Sequence, residues 1–222
     1  MHPLLILLGA LLVGALVYFS WLAAKKRREA FQAWASSHDW SYDPGRSREV
    51  YHQYQFLDKL RQGGNRYAFD IMAGEWQGRP AKGFTFHFET HTTDSKGRQQ
   101  THHHYLGVVL IYIEREFSEL SIHHEGFFSK IGQFFGYDDI DFESVEFSKE
   151  FCVRAEEKKL AYDFCNTGMM EYLLQHPRTG LELEGNVLAL YDSARLNPGE
   201  IEPYLQHLSK IRSLMPEYLF RD

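Results

Sequence analysis

Apolar and polar positions are spread unevenly along the chain, and the sharpest contrast comes first. Leu4 to Ala24 is a run of 21 uncharged, mostly apolar residues that stops at Lys25-Lys26-Arg27-Arg28. At ~1.5 Å of rise per residue such a helix covers roughly 31 Å, close to the ~30 Å hydrocarbon core of a bilayer. A helix satisfies its own backbone hydrogen bonds and so crosses lipid as a single segment. Tyr18 and Trp21 lie at the charged end, where amphipathic rings favour headgroups. Residues 1–28 therefore read as a transmembrane anchor with a basic flank, contacting the lipid bilayer through residues 4–24. A cleaved signal peptide fits less well: no basic region precedes the run, and Leu22 spoils the cleavage position.

Beyond the flank, Phe31 and Trp34 continue a helical spacing, which predicts a stalk over 29–39. Residues 40–222 read as a single α+β soluble domain. Trp40 to Tyr42 predicts a short strand, and Ser47 to Gln62 one helix or two short turns. Tyr67 to Trp76 and Ala81 to Thr92 predict strands joined at Gln77-Gly78-Arg79. In the second of these, Phe84, Phe86 and Phe88 alternate with Thr85, His87 and Glu89, the period-two pattern of a half-buried strand. Thr101 to Glu114 and Leu120 to His123 predict a third and a fourth strand, completing an antiparallel meander. Gly126 to Phe135 predicts a helix, Glu146 to Ala155 a strand, and Glu156 to Asn166 and Met169 to Gln175 two helices. A hairpin is expected around Gly185-Asn186. Asn197 can cap a last helix with Pro198 at its first position, and Ile201, Leu205, Leu208, Ile211 and Leu214 give it one apolar face.

These segments resemble a known family. FDIMAGEWQGRPAKGFTFHFET, DIDFESVEFSKEFCVRAEEKKLAYDF and the closing amphipathic helix resemble bacterial single-pass membrane proteins that carry a domain of unknown function. The similarity covers roughly Trp40 to Pro216. It implies a bacterial membrane location and an α+β domain, and it brings with it no activity, catalytic residue or cofactor.

Charge and composition narrow the function. Setting the four flanking basic residues aside leaves 20 Lys and Arg against 30 Asp and Glu, so the domain is acidic. That balance argues against nucleic-acid binding. Four cationic residues at the C-terminal end of the apolar run and none at the other predict an inner-membrane protein whose C-terminal domain is cytoplasmic. Cys152 and Cys165 would then be reduced thiols. Ala10 and Gly14 form a small-xxx-small pair suited to self-association. No nucleophile elbow, phosphate loop, dinucleotide fingerprint or His-Glu-x-x-His occurs, which argues against an enzyme and for no cofactor. The first reading is a non-catalytic docking module with an unknown protein partner at the membrane face. An unrecognised membrane-associated enzyme is a further alternative.

The histidines carry the remaining alternative. If the hairpin from Phe84 to Ile113 turns near Lys96-Gly97, His91 falls opposite His102 and Glu89 opposite His104. Cross-strand neighbours on one face approach to ~5 Å at Cβ. Glu89, His91, His102 and His104 are thus candidate ligands for zinc or a similar metal, or a proton-responsive patch. A slip of one residue would send these side chains to opposite faces.

Overall fold

The computed structural model describes residues 3–124, 139–177 and 180–221. The first element, α1 (Pro3–Ser37), is a single unbroken helix. Its N-terminal part exposes Leu8, Leu11, Leu12, Leu16, Val17, Phe19 and Trp21, and it is long and apolar enough to cross a membrane. The helix stops where the Ser37 hydroxyl donates to the Trp34 carbonyl at 2.8 Å, satisfying a last-turn acceptor, and Asp39 turns the chain at φ 56°.

The chain then forms β1 (Ser41–Asp43), α2 (Arg48–Tyr54), a 3-10 turn (Asp58–Arg61), β2 (Gly64–Trp76), β3 (Arg79–Thr93) and β4 (Gln99–His124). After α3 (Val145–Glu150) come β5 (Phe151–Ala155), α4 (Lys158–Phe164), α5 (Thr167–Leu174), β6 (Gly180–Asp192) and α6 (Pro198–Leu214). All pairings in the sheet are antiparallel, in the order β1-β2-β3-β4-β5, with β6 on the other edge of β4. The expected α+β class is what the structure has.

Local chemistry explains the turns. β2 and β3 are joined by Gln77 (φ 51°) and Gly78 (φ 77°), the positive pair that a two-residue hairpin loop demands. In the loop after β3, the Asp94 carboxylate accepts from the backbone N–H groups of Lys96 and Arg98, each at 2.9 Å. In α6, the Asn197 side chain accepts from Gly199 N–H at 3.1 Å with Pro198 at the helix start, as its sequence predicts.

Several expectations need correction. The third and fourth strands are one strand, β4, long enough to pair with β3 over its first half and β5 over its last turnings. Gly185-Asn186 makes no hairpin: β6 runs straight through, and Gly185 (φ 56°) sits in a bulge opposite Phe117. A glycine that permits a left-handed residue serves a bulge as readily as a turn. Val145–Glu150 is a helix, because the Ser144 hydroxyl caps it by accepting from Phe147 N–H at 3.3 Å; only Phe151–Ala155 is strand. The helix expected over Gly126 to Phe135 lies outside the described residues.

The sheet is covered on both faces. One face presents Phe84, Phe86, Phe88, Leu106, Val108 and Leu110 to Tyr51 and Tyr54 of α2 and to Leu57 and Leu60. The other presents Ala81, Val109, Ile111, Leu188 and Leu190 to α6 and to Phe31 and Ala35 of α1. Thr85, beside Leu196, and His87, packed by Tyr67 and Tyr105 of the adjacent strands, are buried too, so β3 is not the half-exposed strand its alternation suggests. Gly74 is where the sheet admits the Trp40 indole; a Cβ there would sit inside the ring. Trp40 cannot retreat, since its Nε1 donates to the Glu75 carbonyl at 2.9 Å and Trp34 packs edge-on against it. Gly74→Ala should therefore cost about 2 kcal/mol by overpacking, measured as a lower denaturation midpoint with unchanged far-UV dichroism.

Candidate functional site

The first site is the junction of anchor and domain. Arg27 reaches out of α1 to Asp70, donating from Nε at 3.0 Å and Nη2 at 2.9 Å to one carboxylate oxygen. Nη2 also donates to the Leu196 carbonyl at 2.6 Å. The other Asp70 oxygen accepts from the Tyr42 hydroxyl at 2.9 Å, and burial together with this anion pushes the phenol pKa up. Asp70 stands in a β2 bulge at φ 50°, which re-aims its side chain toward the helix. Phe31, one turn on, stacks on Tyr42 at 5.3 Å, and the Arg27 guanidinium lies 4.9 Å above the Phe31 ring.

The four flanking cations are not equivalent: Lys25, Lys26 and Arg28 are exposed, with Lys25 beside Glu29 at 3.7 Å, while Arg27 is spent on the domain. The helix runs on past the flank to Ser37, and there Phe31 and Ala35 are fully buried in the main core. The anchor helix and the domain share one hydrophobic interior.

The second site is the histidine-rich hairpin. Its register differs by one from that expected: Glu89 pairs with His103, Thr90 with His102 and Phe88 with His104. His102 and His104 therefore lie on the opposite face from Glu89 and His91, hydrogen-bonded to Thr92 and Thr90 at 2.8 Å each. His91 meets Thr101 at 3.1 Å. The four candidates do not converge. Glu89 instead meets His103 at 3.2 Å and His87 at 3.9 Å, and His87 Nε2 lies 3.1 Å from His103 Nδ1.

The hairpin also has a place relative to the anchor. Arg27 is opposite Asp70, and Trp40, just past the helix end, is against Gly74, so α1 and β2 run in the same direction. The apolar part of α1 consequently projects from the end of the sheet that carries the β3–β4 tip.

A third feature is a cleft of about 1130 Å³ beside β6 and α6, lined among others by His124, Tyr172, His176, Tyr204 and His207. The Tyr172 hydroxyl is 2.6 Å from His207 Nδ1, and the Tyr204 hydroxyl donates to Asp192 at 2.7 Å. Burial, then His176, holds His207 down at about 4. Behind the Phe84 face lies a buried polar set that sequence reasoning missed. Glu182 accepts from Lys59 N–H at 3.1 Å and from the Tyr191 hydroxyl at 2.9 Å. Burial pushes the Glu182 carboxyl up and the Lys59 ammonium down. Lys59 sits two residues after Leu57 and beside Leu60, the one available hint that it points inward. The Cys152 thiol donates to Asp139 at 2.8 Å, and Cys165 is buried.

These features define a class: an antiparallel α+β domain, covered on both faces, into which a long apolar helix is built as a structural member. Neither a protein-family model nor a curated protein matches the sequence. A similar fold occurs in the crystal structure of the mycobacterial trehalose monomycolate transport factor A, TtfA, at a TM-score of 0.61 and 12% identity. That likeness covers 85% of this chain and 95% of TtfA, and at this identity it shows a shared fold.

Proposed function

We propose that this chain is a non-catalytic docking module, held at a fixed attitude on the inner face of a cell membrane and offering its domain to a protein partner. The observation that carries the reading is the junction. A tether needs only a spanning helix and a loose linker, yet here Arg27, Phe31 and Ala35 join the helix to the sheet. Rigid attachment fixes which surface a neighbour in the membrane meets. The shared fold with a transport factor supports an accessory role of this kind, and Lys25, Lys26 and Arg28 favour a cytoplasmic domain. Ala10 and the open space at Gly14 suit a second helix packed on the anchor, from a partner or another copy.

Two experiments test this. A compartment-sensitive reporter fused after Asp222 should report the cytoplasm; an extracytoplasmic signal overturns the orientation. Photo-cross-linkers placed on the exposed domain surface of the full chain in native membranes should give one discrete protein adduct, lost in Arg27→Ala. No adduct at any position, or one indifferent to Arg27, removes the docking reading.

A further inference from the structure

We propose that His87, Glu89 and His103 form a binding site for a first-row divalent cation, zinc foremost. Their donor atoms, one from each side chain, all lie within 4.8 Å of one another. A tetrahedral zinc with ligands at 2.0–2.1 Å requires donors about 3.3 Å apart. The three separations here are 3.1, 3.2 and 3.9 Å, so the cation needs only small side-chain adjustments.

The His87 tautomer is set for it. His87 Nδ1 lies 3.2 Å from the Asn65 carbonyl, which can only accept, so Nδ1 carries the hydrogen and Nε2 presents a lone pair to the cluster. Tyr67 stacks on the imidazole at 4.4 Å and fixes its plane. The Asn65 amide donates to Glu89 Oε1 at 2.8 Å, so one residue orients two of the three ligands. Asn65 does this from a bulge at φ 46°, a conformation asparagine tolerates better than most residues.

Exposure suits entry. The His87 side chain is 2% exposed and Glu89 15%, while His103 is 55% exposed. The cation would enter from the His103 side, which also leaves a fourth position for water or an incoming donor. With the lone pair on His87 Nε2, a hydrogen on His103 Nδ1 can serve both His87 and Glu89; a bound cation takes its place when His103 carries that hydrogen on Nε2 instead. Two imidazoles and one carboxylate favour zinc over magnesium or calcium, which take all-oxygen sites.

The test uses the full chain in detergent, freed of its affinity tag, loaded with Zn²⁺ and passed over a chelating resin. About one equivalent should remain by elemental analysis. Competition with a chromophoric chelator should show His103→Ala and Glu89→Gln each weakening binding by at least about 100-fold. The double variant His102→Ala/His104→Ala, on the opposite face, should bind as the wild type does. Co²⁺ should give the intense visible band of a tetrahedral site in the wild type and lose it in His103→Ala. Glu89→Gln keeps an acceptor for Asn65, so loss of metal with an unchanged metal-free melting temperature separates ligation from folding. Absence of retained zinc, or equal loss in the His102/His104 double variant, overturns the assignment.

Discussion

Replacing Phe31 with alanine is expected to cost about 4 kcal/mol and to loosen the anchor from the domain. The side chain is fully buried among the residues that also hold Ala35, Trp40 and Met72, and core Phe→Ala changes cost roughly 3–5 kcal/mol through lost transfer energy and a residual cavity. The loss is placed where it matters most. Phe31 is the ring on which Tyr42 stacks and over which Arg27 lies, so its removal also slackens the hold on Asp70. A domain stable by roughly 5–15 kcal/mol survives this, but the junction should open first. Chemical denaturation in matched detergent should show the lower midpoint. Trypsin should cut at Lys25 to Arg28 in the variant under conditions that spare the wild type. Leu16→Ala, on the exposed apolar part of the same helix, should leave both unchanged. A Phe31→Ala protein within about 1 kcal/mol of the wild type, with the flank still protected, would show that helix and domain are merely adjacent.

The contrast between Phe31 and Arg27 shows how far the sequence could be read. Apolar runs and caps act over a few residues, so α1, the Gln77-Gly78 turn and the Asn197-capped helix were legible from local pattern. Arg27 was not: in sequence it belongs to a basic flank, and only the bulge at Asp70 tells it apart from Lys26 and Arg28. Register was the other blind spot. The histidine hairpin was recognised, but its five-residue loop sets the pairing through Asp94 and Gly97, and a shift of one exchanged His102 and His104 for His103. His87 looked like the polar side of an alternating strand. Its burial comes from Tyr67 on β2 and from Tyr105 and His103 on β4, whose rings pack around it across the sheet, which no pattern within one strand can report.

His123→Gln is expected to flatten the acid side of the stability profile by about 1.4 kcal/mol per pH unit. His123 lies on β4 between β5 and β6, 5% exposed. Burial, then the positive charges of Lys59 and Arg154, holds its pKa down at about 3, against an ordinary value of 6.5. Between those values the unfolded chain takes up a proton that the folded one refuses. The contribution of the neutral imidazole is thus complete above pH 6.5 and is lost as pH falls toward 3, about 2 kcal/mol of it by pH 5. The whole-protein profile hides this, because a buried carboxyl whose pKa is raised runs the other way. Burial pushes Glu184 up to about 7, so its contribution is present below pH 4.5 and is lost as pH rises through 7. The two trends oppose each other between pH 5 and 6.5, and only the difference between variant and wild type isolates the histidine. Glutamine fills a similar volume and does not titrate, so Gibbs energies of unfolding measured from pH 7 to 5 should diverge progressively. Parallel profiles would mean that His123 meets protons equally in both states. The cationic neighbourhood of Lys59 and Arg154 would then not govern the acid response of this fold.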